Sequence, residues 1–376
     1  MAGIYIHIPF CKVACHYCNF HFSTNNSNQN DFVKALLQEI VLQQDYLKNE
    51  IVETIYFGGG TPSVLPGNII HEIIQALQHT FNVAQTVEIT LEANPDDLSK
   101  EKIQQHKAIG INRFSLGIQS FFDEDLQWMN RAHTAANAKE MLQHICNEGF
   151  ENTTVDLIYG IPGMSNRRWK ENLKTLIEYN IPHVSAYCLT VEPKTALHKM
   201  IATNESPSPS ETLAAQHFEI LINFLTENGY EHYEISNFAK PGHYSKHNTS
   251  YWQGKKYLGL GPSAHSFNGK SRSWNISNNI KYIKSLLKEN KVPFEEEALT
   301  EQNQFNELLM TGLRTQWGIN LKELKTNFSE EINATFKVEL QPFLNEGFVI
   351  EENNFLKLSN KGKFIADRII SDLMAV

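Results

Sequence analysis

Cysteine is scarce in this sequence, with five residues in 376. So few, and an odd number, exclude a disulfide scaffold at this length. They fit a reducing compartment, where clustered thiols bind metal or do chemistry. Long apolar runs are missing as well, so no membrane-spanning helix is expected. The N-terminus lacks a charged segment followed by an apolar core. No secretory signal is therefore expected, and a cytoplasmic location is. Excess positive charge is also absent. Lys and Arg number 33 against 42 Asp and Glu, a net charge of −9, so nothing draws the chain to nucleic acid or anionic lipid in general. The rest of the composition, 41% hydrophobic and 20% charged, is that of a globular protein with room for two or three domains.

What is present is an alternation. "GIYIHI" (Gly3–Ile8), Glu53–Pro62, Thr86–Asp97, Ile111–Phe121, Asn152–Gly163 and His183–Pro193 read as strands. Amphipathic stretches such as Asn30–Leu47, Ala135–Glu148 and Arg167–Tyr179 read as helices between them. This order predicts a parallel sheet with helical crossovers, an α/β fold in the form of a partial (β/α)6 barrel. "SPSPS" (Ser206–Ser210) reads as a linker before a helix over Glu211–Glu227. The expected units are 1–205 for the barrel, 206–295 for an α+β extension, and 296–376 for a helical, winged-helix-like C-terminal domain. That last unit ends in a hairpin over Glu346–Ser359 with "ENN" at its turn.

The unusual residues recur at one end of the strands. Three cysteines, Cys11, Cys15 and Cys18, follow the first strand. Gly58–Pro62 follow the second, Glu92 and Asn94 the third and Gln119 the fourth, while Asp156 sits in the fifth. In α/β barrels this rim builds the active site. Thiolates suit zinc or an iron–sulfur cluster. A closed zinc site needs a fourth ligand, which His16 or His21 could supply. Three thiolates on a four-iron cluster instead leave one iron open to a small chelating molecule.

The CxxxCxxC run in "FCKVACHYCNF" resembles the signature of radical S-adenosylmethionine proteins. "YIHIPFC", "FGGGTPS", "EANPDD", "SLGIQSF" and "DLIYGIPG" together resemble the oxygen-independent coproporphyrinogen III oxidase-like family. "YEISNFAKPGHYSKHNTSYW" resembles a haem-chaperone branch of it. The resemblance implies a [4Fe-4S] cluster on Cys11, Cys15 and Cys18. It implies S-adenosylmethionine contacts from Tyr5, Gly59, Gly60, Thr61, Glu92, Gln119, Arg131 and Asp156. Tyr5 and Glu92 would hold the methionine end. Tyr17 could pack on the adenine or shield the cluster, and Arg131 could equally be a solvated surface charge.

Oxidase and chaperone share this barrel. The oxidases place Gly-Cys directly after the last cysteine of the motif, where this sequence has Asn19 and Phe20. They also carry an arm before the first strand, where this motif begins at residue 11. Both departures favour the chaperone. "HNTSYW" matches the HNxxYW motif of that branch, which marks His247 as a haem ligand, with His243 and His265 behind it. Imidazole is a common haem ligand and aromatic rings pack on porphyrin faces. Cys146 and Cys188 lie in apolar patterns and read as core residues. Residues 301–376 hold 8 Lys or Arg and 11 Asp or Glu, too acidic for a nucleic-acid-binding wing. They read as a lid or a surface for haem-accepting proteins such as respiratory enzymes, which would bring at most a transient peripheral contact with a membrane.

Overall fold

The computed structural model describes residues 2–375. Six parallel strands follow one another in chain order: β1 (Ala2–Ile8), β2 (Val52–Gly59), β3 (Val83–Ala93), β4 (Arg113–Gln119), β5 (Thr153–Tyr159) and β6 (His183–Cys188). Their apolar runs are continuous because both faces are covered. In β1 every residue but Tyr5 is buried. Helices such as Gln29–Leu42, Gly67–Thr80, Ala135–Asn147 and Asn166–Glu178 make the crossovers. Thr134 and Ser165 start two of them by accepting a backbone N–H with their hydroxyl oxygens. The first helix ends at Leu42, short of Leu47. Leu47 is still buried, so its apolar spacing belongs to a turn packed on the core.

Residues 206–295 do not form a layer of their own. β7 (Glu231–Glu234) and β8 (Asn237–Ala239) add antiparallel to the β6 edge. β9 (Lys256–Leu260) adds parallel to β1, and β10 (His265–Phe267), β11 (Ser271–Asn275) and β12 (Phe294–Ala298) continue from it antiparallel. The result is one sheet of 12 strands. The C-terminal part has a second core around Phe305, Leu309, Phe336, Leu356 and Ile369. A small sheet accompanies it, β13 (Ile319–Asn320), β14 (Val349–Glu352) and β15 (Phe355–Leu358). The hairpin turns at Asn353 and Asn354, whose φ of 51° and 67° suit the left-handed tolerance of asparagine.

Two thiols lie elsewhere than expected. Cys146 and Cys188 are exposed. β6 is buried over its first four residues and open over its last two, so membership of a core strand does not bury Cys188. Cys146 sits near the end of its helix, its Sγ 3.6 Å from Tyr179 O.

Candidate cofactor site

The strand ends bring the marked residues to one rim. Gly58 and Gly59 close β2, and Gln119 closes β4. The sequence reads Glu92 as following the third strand. β3 runs on to Ala93, so Glu92 sits within the strand and points into the barrel, where Tyr56 Oη donates to its Oε1 at 2.8 Å. Asp156 accepts from Ser115 Oγ at 3.2 Å across the β4–β5 pair. Burial pushes both carboxyl groups up to about 7, partly offset by these hydrogen bonds.

The cysteine loop is fastened on every side. Cys11 N donates to Ser23 O at 3.0 Å and Ser23 N to Pro9 O at 2.8 Å, closing the loop at its base. His16 N reaches Met129 O at 3.1 Å, Leu197 N reaches His16 O at 2.7 Å, and Asn130 Nδ2 reaches Ala14 O at 2.8 Å. Lys12 pairs with Asp96 and Asp97. Cys11 is buried, and burial pushes its thiol up to about 11, so metal binding there must expel a proton.

A chain of side chains links two of the thiols. Thr61 Oγ1 donates to Cys11 Sγ at 3.4 Å, and Asn94 Nδ2 donates to Thr61 Oγ1 at 3.2 Å. Arg131 donates from Nη2 to Asn94 Oδ1 at 2.5 Å and from Nη1 to Cys15 Sγ at 3.3 Å. Arg131 is therefore no solvated surface charge. Tyr17 lies beside it, and burial raises the phenol well above its ordinary range. In the sequence Asn94 is only a residue after a strand. Its place as the middle link depends on three separate segments meeting.

Donors aimed at sulfur suit thiolates that carry the negative charge of an iron–sulfur cluster, so the residues fit that group. Among the described residues no three Cys, His, Asp or Glu side chains converge on a single-ion site. His16 spends Nδ1 on Trp128 O at 2.7 Å, and His21 spends Nε2 on Asn279 Oδ1 at 2.7 Å.

The glycines serve packing as well as access. A Cβ on Gly58 would meet Tyr5, Tyr56 and Glu92 at 2.9–3.0 Å. One on Gly60 would lie 2.7 Å from Phe10 O, because Gly60 N and Thr61 N donate to Ile8 O and Phe10 O. Gln119 has a φ of 67° where the β4–β5 register slips, an uncommon backbone for a non-glycine residue and one that marks functional sites.

His247 lies apart from this rim. It sits on the helix Lys246–Trp252, buried, with its ring stacked on Tyr56 at 5.0 Å. Its Nδ1 is 2.7 Å from Thr54 Oγ1 and its Nε2 is 2.8 Å from Tyr251 Oη. Burial pushes it down to about 3. Both ring nitrogens are thus engaged by partners within the chain. His243 Nδ1 is 3.0 Å from Asn152 Oδ1, and His265 stands exposed at the start of β10.

The radical SAM superfamily model matches residues 5–176, and the HemN C-terminal domain model matches residues 299–365. The heme chaperone HemW of Bacillus subtilis (strain 168) is 30% identical over 372 residues, covering 98% of each chain. The chain belongs to the HemW family. The heme chaperone HemW of Escherichia coli (strain K12), another member, is 34% identical over 70% of this chain and 69% of its own. Among solved structures, the radical SAM enzyme coproporphyrinogen III oxidase (HemN) from Escherichia coli superposes with a TM-score of 0.87 at 24% identity. It covers all of this chain and 90% of its own, which shows that this chain shares that fold.

Proposed function

We propose that this chain is a haem chaperone that holds a [4Fe-4S] cluster and S-adenosylmethionine and delivers haem to acceptor proteins. The observation that carries the chaperone reading is the near full-length similarity to proteins named heme chaperone HemW. Cys11, Cys15 and Cys18 would hold the cluster, with Thr61 and Arg131 donating to two of the sulfurs. When bound, the cluster supplies an electron that can reduce the sulfonium of S-adenosylmethionine. Tyr5 and Glu92 face one another over Gly58 and would take the methionine end of that cofactor. Gly59, Gly60, Gln119 and Asp156 would line the rest of its pocket, with Tyr17 near the adenine. Residues 1–205 would carry this site, 206–295 would complete the sheet, and 296–376 would cover it and meet the acceptor.

The acceptors would be haem proteins such as respiratory enzymes, met from the cytoplasm. Among the described residues no helix is long and apolar enough to cross a membrane. The test is anaerobic reconstitution with iron and sulfide, followed by haem titration and an assay of coproporphyrinogen decarboxylation on the same sample. Stoichiometric haem with no decarboxylation is expected. Robust protoporphyrinogen formation would restore the oxidase.

A further inference from the structure

The inner wall of the barrel carries a row of buried polar side chains that the cofactor site does not use. Thr90 of β3 pairs with Arg113 of β4, and Thr154 of β5 pairs with His183 of β6. Arg113 Nη2 donates to Thr154 Oγ1 at 2.6 Å and joins the two pairs into one row. Strand residues alternate between faces, so the row shares its face with Glu92, Ser115 and Asp156, each two residues further along its strand. All four side chains of the row are at most 3% exposed.

The row is rich in donors and short of acceptors. Three of its polar atoms have no partner among the described residues, Thr90 Oγ1, Arg113 Nη1 and His183 Nδ1. His183 Nε2 is 2.7 Å from Tyr233 Oη. With the phenol donating there, the imidazole proton sits on Nδ1, and burial followed by the Arg113 charge keeps the ring neutral. Among the described residues no carboxylate oxygen lies within 4.0 Å of the Arg113 guanidinium. The acids of this wall are spent elsewhere. Glu88 Oε1 accepts from His247 N at 3.2 Å, and Asp156 accepts from Ser115 Oγ at 3.2 Å. A buried cation needs a counter-charge, because desolvating it alone is costly. A water would accept from two of these donors and leave its own protons without an acceptor. An anion accepts from all three.

We propose that this row is a binding site for a small monovalent anion of halide size, held by Arg113, His183 and Thr90 inside the barrel. The site uses no cofactor and stands apart from the haem-carrier reading. Crystals of the full-length protein grown in sodium bromide, with diffraction collected at the bromine edge, test it directly. An anomalous peak in contact with Arg113 Nη1 and His183 Nδ1 is expected. Density for a water without anomalous signal, or bromide at the surface only, would overturn the site. In solution, an anion that binds only the folded chain raises the melting temperature as its concentration rises. Sodium bromide should therefore raise it above sodium gluconate at equal ionic strength, and the rise should saturate. Thr90→Val keeps the shape and removes one hydroxyl. It should move the bromide midpoint up about fivefold, as the loss of one hydrogen bond does. Arg113→Met should abolish the bromide dependence. If that variant does not fold, the Thr90→Val midpoint decides. Equal melting in the two salts, or an unchanged midpoint in Thr90→Val, marks an adventitious ion only and sinks the proposal.

Discussion

The Arg131 guanidinium lies 3.3 Å from the Cys15 thiol and 2.5 Å from Asn94 Oδ1. Through Asn94 and Thr61 the same network reaches Cys11. One cation thereby joins the loops after β1, β2 and β3 to the loop that follows Trp128. Its positive charge should matter as much as its shape, because a thiolate cluster is anionic.

Arg131→Met keeps the bulk and removes the charge. The cluster should still assemble, with a reduction potential shifted negative by about 60 mV, corresponding to a charge-assisted hydrogen bond worth about 1.5 kcal/mol. Potentiometric titration followed by electron paramagnetic resonance measures the shift. An unchanged potential would mean that Arg131 only braces the loop. Cys15→Ala, in contrast, should abolish iron uptake, which a full cluster in that variant would refute.

Gly60→Val should do more than block a cofactor. Its side chain would press on Phe10, the neighbour of Cys11. Overpacking of this kind costs about 1–3 kcal/mol. Iron content and S-adenosylmethionine affinity should fall together, as measured by iron analysis and calorimetry. Loss of the second with full retention of the first would show that the glycine serves the ligand alone.

Glu92 should make cofactor affinity depend on pH. Burial holds the free carboxyl at about 7, so it is neutral below that value and anionic above it. A cationic amino group prefers the anion. Affinity should therefore weaken by up to about tenfold per unit as pH falls below 7, following the free energy of one protonation. Glu92→Gln should bind weakly at all pH values, with a flat profile. Isothermal titration between pH 5.5 and pH 8.5 tests this, and a wild-type profile without slope would remove Glu92 from the contact.

His247 should reveal itself in stability. Its folded value is about 3 against an ordinary 6.5, so between those values the unfolded chain binds the extra proton. Its contribution is present above pH 6.5 and is lost as pH falls toward 3. The slope should reach about 1.4 kcal/mol per pH unit. Denaturant unfolding at several pH values measures it, and His247→Gln should flatten the curve. An identical slope in the variant would mean that other groups carry it.

Much of this protein is legible in its sequence. Continuous apolar runs split by amphipathic stretches can bury themselves in few ways other than a parallel sheet with helical crossovers, and residues 3–193 follow that rule. The left-handed asparagines at 353 and 354 are equally local, and the C-terminal hairpin turns there. The spacing of Cys11, Cys15 and Cys18 places three free thiols in the loop after β1. What one stretch of chain cannot encode is the company its side chains keep. Glu92 and Asn94 differ in role because β3 continues one residue past the carboxylate. Arg131 is a half-buried link rather than a surface charge because three distant loops converge on it. Nothing local in the HNTSYW run tells that Thr54, Tyr56 and Tyr251 pack around the His247 ring. His265 lines an aromatic cavity because β10 folds back over Gly259. Sequence sets which atoms can bond, through chemistry and local periodicity, whereas long-range packing decides which of them are already satisfied.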